Sequence, residues 1–221
     1  MKKLYGIGTG PGDPELLTVK AVRFIESADV IFAPNNKGRN MALDSAQPYI
    51  KDQKIVLLDF PMGKTTRQTY IEAMDKIEEN LKDGQTGVFL TIGDSMIYST
   101  FMNMINAEEH AHLQVECVPG IPAFLAGANA ILKNVVEKGE RFLLVDDAEK
   151  MNLEDVDSVA ILKTSKNLEA TLDKLEEHHF DYYYIKHVSF DQEVVLTQRQ
   201  DILKEKTYMS LLLARKSKIW P

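Results

Sequence analysis

The sequence is nearly devoid of cysteine: Cys117 stands alone among 221 residues. No disulfide can close within the chain, and no multi-cysteine zinc or iron–sulfur site can be built in one copy, which fits a reducing cytoplasm. Positive charge is also scarce, with 26 Lys and Arg against 33 Asp and Glu for a net charge of −7. A nucleic-acid binder normally carries a basic stripe, so none is expected as a partner, and an anionic ligand must be met by local cations. No stretch approaches the roughly 20 apolar residues that cross a bilayer. No apolar run follows a basic start either, because Tyr5 to Gly12 is already glycine-rich. The expected protein is neither exported nor membrane-spanning. Histidine is sparse and scattered. His110 and His112 are two apart in a loop, His178 and His179 sit near a helix end, and His187 lies in a strand. Structural roles are expected for all five, and no metal site. G-x-S-x-G is absent, and Cys117 lies in an apolar strand where burial would keep it inert, so covalent catalysis has no support.

What is present is an ordinary globular composition, 44% hydrophobic and 27% charged, on a length that suits one large domain or two small ones. The organising stretch is Leu4 to Ala33, LYGIGTGPGDPELLTVKAVRFIESADVIFA, which reads as strand, loop, helix, strand. Asp13 can cap free N–H groups, Pro14 fits a first helical position and Glu15 favours the positive helix end, so a helix is expected to begin there. Leu17, Ala21, Phe24, Ile25 and Ala28 form its apolar stripe. The glycine loop fails both familiar phosphate fingerprints. Counting G-x-G-x-x-G from Gly6 ends on Pro11 and from Gly8 on Asp13, and no G-K-[ST] follows. The acidic Asp13 and Glu15 would repel a phosphate, so a neutral or cationic ligand suits the loop better.

The alternation continues with a strand at 54–58, a helix at 67–82 carrying Tyr70, Met74, Ile77 and Leu81 on one face, and a strand at 87–92. Such alternation predicts an α/β fold with a mostly parallel sheet, whose ligands sit at the carboxyl ends of strands near a topological switch point. The most glycine-marked strand ends are Gly8–Gly12 and Gly93-Asp94. Beside them run two polar, basic loops, 35–40 and 61–66. Gly93-Asp94 leads into a helix with Ser99 and Thr100 in its first turns, and a strand at 113–118 enters Pro119-Gly120-Ile121-Pro122 ahead of a helix at 123–132. A hinge is expected near 115–119, giving domains 1–116 and 117–221. The second half reads as strands at 141–145, 159–163, 182–188, 193–197 and 208–214 around a helix at 168–179, the last strands able to pair antiparallel.

GIGTGPGDPELLTVKAVRFIESADVIFAP, TIGDSMIYSTF at 91–101 and VECVPGIPAFLAGANAI resemble the three ordered motifs of the tetrapyrrole methylases, which methylate cobalamin and siroheme precursors with S-adenosylmethionine. The resemblance spans nearly the whole chain. VIFAPNNKGRNMALDSAQPYI, the FPM at 60–62 and IYSTF resemble the branch that acts on C20 of precorrin-2 or cobalt-precorrin-2.

It implies two α/β domains, each a mixed sheet flanked by helices, with the cofactor in the cleft between them, the C-terminal domain on the cofactor side, and a cytoplasmic homodimer. It also implies cofactor contacts at Pro11, Ile92, Gly93, Asp94, Ile97, Ser99, Thr100, Pro122, Ala123, Leu162 and Thr197. Asp94 would hydrogen-bond the cofactor's amino group or cap the next helix. Ser95 departs from the family, which usually has proline there. Since a tetrapyrrole is a polycarboxylate, Lys37, Arg39, Lys64 and Arg67 are expected clamps, with Lys163 and Lys166 as second choices. Asp13 is the expected acceptor of the proton lost from C20. The alternatives are a methylase of another ring position, such as a siroheme-forming or later-ring enzyme, a diphthine synthase, or a non-catalytic nucleotide-binding α/β module.

Overall fold

The computed structural model describes residues 1–35, 40–61, 64–108, 110, 112–164 and 167–217. The chain divides into two compact units, Met1–Pro122 and Ala123–Pro221. The first is built on β1 (Lys2–Gly8), β2 (Val30–Pro34), β3 (Lys54–Leu58), β4 (Thr86–Thr91) and β5 (Leu113–Val118). They lie in the order β3-β2-β4-β1-β5, and every pair is parallel. Parallel strands bury both faces, and here each face has its own helices. α1 (Val19–Ser27) and α2 (Met41–Ala46) cover Ile7, Ile31, Val88 and Leu90, while α3 (Arg67–Asn80) and α4 (Thr100–Ile105) cover Leu4, Phe32 and Phe89.

The expected helix start at Asp13 is corrected. Asp13 accepts a hydrogen bond from Glu15 N at 2.8 Å and caps only a single 3-10 turn, Pro14–Leu16. Leu17 and Thr18 are then extended, and α1 begins at Val19 with the Thr18 hydroxyl accepting from Ala21 N at 3.2 Å. The physical reason is a competing cap. Thr18 caps a helix whose fourth residue, Val22, shares an apolar cluster with Leu17 just ahead of the cap, the arrangement of a hydrophobic staple. Leu17 thus belongs to the core without belonging to the helix. α3 starts where the periodicity places it, under a capping box of Thr66 and Thr69.

The expected division at 116/117 would cut β5, whose Cys117 and Val118 pair with Gly6 and Ile7; the compact units part after Pro122 instead. Cys117 is half-buried rather than fully enclosed, packing on the edge of the first unit's core.

The second unit holds α5 (Ala123–Ala130), β6 (Phe142–Val145), β7 (Ser158–Leu162), α6 (Leu168–Glu177), β8 (Phe180–Lys186), β9 (Val194–Leu196), α7 (Arg199–Ile202) and β10 (Ser210–Lys216). Its sheet runs β6-β7-β10-β8-β9, in which only β6 and β7 are parallel. Leu172, Leu175, Tyr184 and Leu212 centre its core. Arg215 on β10 is 1% exposed, paired with Glu140 and donating from Nη1 to Asn134 O at 3.2 Å, so it holds the segment ahead of β6 onto the sheet. Among the described residues no helix is long and apolar enough to cross a membrane.

Candidate functional site

The strand order fixes where a ligand can sit. β1 and β4 are neighbours, yet β1 connects through α1 towards β2 while β4 connects through α4 in the opposite direction to β5. Right-handed crossovers place those two helices on opposite faces, so the carboxyl ends of β1 and β4 flank a topological switch point. The loops leaving these strands are 9–13 and 92–99, the two that the glycine pattern marks.

Backbone hydrogen bonds tie the loops together. Thr9 donates to Thr91 O from both N (2.8 Å) and Oγ1 (3.1 Å). Gly10 and Gly93 exchange a pair of bonds, N to O at 3.1 Å and 2.7 Å, as an isolated antiparallel bridge. The third loop, after β5, joins through Gly120 N, which donates to Asp94 Oδ2 at 2.8 Å. Asp94 Oδ1 accepts from Met96 N at 2.8 Å. One carboxylate therefore closes its own turn and fastens the neighbouring loop. The cap of α4 is Ser99, whose Oγ accepts from Phe101 N at 3.1 Å, so Asp94 does not cap that helix.

Glycine is required here for two different reasons. A Cβ on Gly8 would lie 2.8 Å from Gly93 O, and one on Gly120 would overlap the same oxygen, so the three backbones touch with no room for a side chain. Gly93 is different. Its φ of 74° favours glycine, while the place of its absent Cβ is open, with Pro122 Cα at 3.9 Å the nearest neighbour. Two residues to either side in sequence, Thr91 Oγ1 and Ser95 Oγ are buried with no hydrogen-bond partner among the described residues. An open backbone position next to a carboxylate fits a cationic ligand such as the sulfonium cofactor.

The other expected contacts are distributed as follows. Pro11 is buried in the first loop, Ile92 packs on the core, and Ile97 N donates to Asp94 O at 3.3 Å. Thr100 opens α4, Pro122 ends the first unit and Ala123 begins α5. Leu162 and Lys163 line a cavity of about 480 Å³ in the second unit together with Asp146, Lys150, Thr164 and Asn167. Thr197 is exposed beyond β9 and is not in that lining. Lys64 is exposed, whereas Arg67 Nε donates to Ala107 O at 2.9 Å, which engages part of its guanidinium in holding α3 to the segment after α4. Lys37, Arg39 and Lys166 lie outside the described residues. Asp13 is half-buried at the mouth of the first loop. Among the described residues no group of three His, Cys, Asp or Glu is placed to hold a metal ion.

Gly8 and Gly120 are the points of closest backbone approach, which the local sequence pattern does not mark. Gly120 sits in a Pro-Gly corner, a signal that equally describes a hinge.

Comparisons with known proteins bear on this geometry. The family model of the Tetrapyrrole (Corrin/Porphyrin) Methylases matches residues 3–202. The chain is 30% identical over 227 residues to a probable cobalt-precorrin-2 C(20)-methyltransferase of Methanocaldococcus jannaschii, covering 99% of this chain and 98% of that protein. It is 31% identical over 143 residues to a cobalt-precorrin-2 C(20)-methyltransferase of Salmonella typhimurium, covering 62% and 60%. Among solved structures, the fold superposes with a TM-score of 0.70 on a uroporphyrin-III C-methyl transferase of Thermus thermophilus complexed with S-adenyl homocysteine, at 17% identity and covering 96% of this chain and 97% of that one.

Proposed function

Because this chain belongs to the tetrapyrrole methylases, we propose that it transfers a methyl group from S-adenosylmethionine to C20 of precorrin-2 or cobalt-precorrin-2 in corrin-ring synthesis, working as a cytoplasmic homodimer. The observation that carries the reading is the junction of three strand-end loops at the switch point, where Gly93 leaves an open notch beside Asp94. The choice of C20 rests on the full-length likeness to a relative bearing that name, and on Ala33-Pro34, Ser45-Ala46, Phe60-Pro61-Met62 and Tyr98-Ser99-Thr100.

When bound, S-adenosylmethionine supplies an electrophilic methyl on a sulfonium that departs as a neutral thioether. The chain's part is to hold the two reactants in line and dry, and alignment of that kind can contribute on the order of 7 to 11 kcal/mol. The ties at Gly10–Gly93 and Asp94–Gly120 fix the notch in advance, so little loop ordering is left to do on binding. Carboxylates of the ring fall to Lys37, Arg39, Lys64 and the remainder of the Arg67 guanidinium. C20 is a bridging carbon that bears hydrogen, so a proton must leave it after transfer. Asp13, held by Glu15 N, is the group proposed to take it.

Incubating the protein with a precorrin-2 ring, with and without cobalt, and methyl-labelled donor tests this. The expected product is one methyl heavier and lacks the C20 meso proton in its NMR spectrum. A product that keeps that proton and gains its methyl elsewhere moves the protein to another branch, and no product from any ring favours a binding module.

A further inference from the structure

The loop that leaves β1 is anchored twice. Its first half is tied to the β4 loop through Thr9 and Gly10. Its second half is tied to α2 and to the 3-10 turn Gln47–Tyr49 that follows it. Ser45 Oγ donates to Gly12 O at 2.8 Å, and the Tyr49 hydroxyl donates to Pro14 O at 3.1 Å. Asp13 is the residue between those two carbonyls. Its own carbonyl accepts from Leu16 N at 3.1 Å, and Pro14 O accepts a second bond from Leu17 N at 3.2 Å. The carbonyls of residues 12, 13 and 14 are therefore all held, which fixes the peptide planes on both sides of the Asp13 Cα and so the direction of its Cβ. The anchor itself is rigid: Ala42 and Ala46 of α2 are buried in one apolar cluster with Ile7, Ile31 and Val88, and Tyr49 packs against it. Ser45 is 1% exposed, and Met41 O also lies 2.8 Å from its hydroxyl, which has one hydrogen to give. Met41 O is a helical carbonyl for which Ser45 N is the regular donor, whereas Gly12 O has no other donor among the described residues. A buried carbonyl left unpaired is costly, so the hydroxyl hydrogen serves best on Gly12 O.

We infer that Ser45, supported by Tyr49, is a positioning residue for the methyl-transfer reaction: through the carbonyls that bracket Asp13 it sets where the Asp13 carboxylate stands when C20 loses its proton. This rests on the C20 reading and on the Asp13 role proposed above, and adds the group that places the acceptor. As the proton passes to a carboxylate oxygen, the C–H electron pair returns to the conjugated ring, so the oxygen must come within hydrogen-bond reach of one particular hydrogen. A misplacement of about 1 Å can cost about a hundredfold in rate. A carboxylate on a loop tied only at Thr9 and Gly10 would sample many positions; seating residues 12–14 on a buried helix removes that freedom.

Deleting single hydroxyls tests this. With cobalt-precorrin-2 as substrate, Ser45→Ala is expected to lower kcat about ten- to a hundredfold. Tyr49→Phe should lower it less, because Pro14 O keeps the Leu17 N–H. The Michaelis constant for the ring and the calorimetric affinity for the donor should stay near their wild-type values, since the Gly10–Gly93 bridge beside the notch is untouched. The deciding measurement is a double variant. Asp13→Asn keeps an acceptor for Glu15 N and removes the basic group, so in that background Ser45→Ala should cost almost nothing further in kcat. The same cycle with Tyr49→Phe, at a half-buried residue, keeps the test open if Ser45→Ala does not fold. An unchanged kcat in both hydroxyl variants, a loss by the same factor with and without Asp13, or a matching loss of donor affinity overturns the positioning role and leaves the methylase reading intact. An Asp13→Asn variant that turns over at the wild-type rate removes the Asp13 role and the positioning role together. A wild-type protein that methylates no tetrapyrrole overturns the reading itself.

Discussion

The two sheets solve different problems with the same number of strands. In the first unit every strand runs parallel, so all five leave at one edge and their outgoing loops are gathered there. Three of those loops, from the adjacent strands β4, β1 and β5, are close enough to share hydrogen bonds. In the second unit β10 runs antiparallel to β7 and β8, and β9 antiparallel to β8, so from β7 onward neighbouring strands end at opposite edges of the sheet. Only β6 and β7 are neighbouring strands that end at the same edge, and the 480 Å³ cavity is lined by the residues that follow them, 146–150 and 161–164, with Asn167 and Thr171. Where strands end together a concave site can form; where they alternate, the sheet is scaffold.

If the antiparallel part is scaffold, its most buried charge should matter to stability and not to ligand. Arg215 lies inside that sheet against Glu140, whose side chain is also largely enclosed. Truncating one member of such a pair leaves the other charge buried and uncompensated. Arg215→Ala is therefore expected to lower the unfolding free energy by about 3–5 kcal/mol. Replacing both residues, as Arg215→Met with Glu140→Leu, should recover much of that loss. Urea unfolding measures both. Below the melting transition Arg215→Ala should bind S-adenosylmethionine with wild-type affinity, and a proportionate loss of binding would break the division of labour between the sheets.

The parallel unit makes the opposite demand. Gly120→Ala places a Cβ against Gly93 O and Gly8, both backbone, so the loops must separate. Overpacking of this sort costs typically about 1–3 kcal/mol. Because the loops that part are the proposed binding site, donor affinity should fall at least tenfold. Gly93→Ala meets no protein atom nearer than 3.9 Å, so its cost to stability is only that of φ 74°, about 1 kcal/mol, but its methyl enters the notch and donor affinity should fall with it. Calorimetry together with urea unfolding on the pair distinguishes the two requirements: Gly120→Ala should lose more stability than Gly93→Ala, and equal losses of stability would mean the three-glycine contact is not what shapes the notch.

The contrast also explains what could be read from residues alone. Strands β3 and β5 and the start of α3 follow from alternation and from the stripe of Met74, Ile77 and Leu81, because period and burial coincide there. The start of α1 is not legible locally, since Asp13 and Thr18 carry the same capping signal and only the staple between Leu17 and Val22 decides between them. α2 and α7, with six and four residues, are too short to show a period. At the site, the glycines mark the right loops. Which glycine is closed by sterics and which by φ depends on β1, β4 and β5 being neighbours, and strand order is a long-range property that local pattern does not carry. The double use of Asp94 is hidden for the same reason: Gly120, its second partner, is 26 residues away.

The smallest expected effect is a pH dependence confined to the second unit. Tyr182, in β8, donates its hydroxyl to Glu176 Oε1 at 2.6 Å, and Arg199 of α7 links Glu176 to Asp173 on α6. Burial, and next the bond to the Glu176 carboxylate, pushes the Tyr182 phenol from the usual 10 up to about 12. The folded state therefore retains a proton between pH 10 and 12 that the unfolded chain has released. Stability from this contact is complete below pH 10 and is lost as pH rises through that window. Tyr184 is also raised, by burial, so total alkaline destabilisation does not isolate Tyr182, whereas the difference between wild type and Tyr182→Phe does. Urea unfolding at pH 9 should show wild type the more stable of the two, and at pH 11.5 the gap should have narrowed. Since Tyr182 is only partly shielded from solvent, the change should be a modest fraction of the stability at stake in Arg215→Ala. A gap that is flat with pH would mean that Tyr182 and Glu176 are not hydrogen-bonded in solution, and that α6, β8 and α7 are held by their apolar contacts and by Arg199 alone.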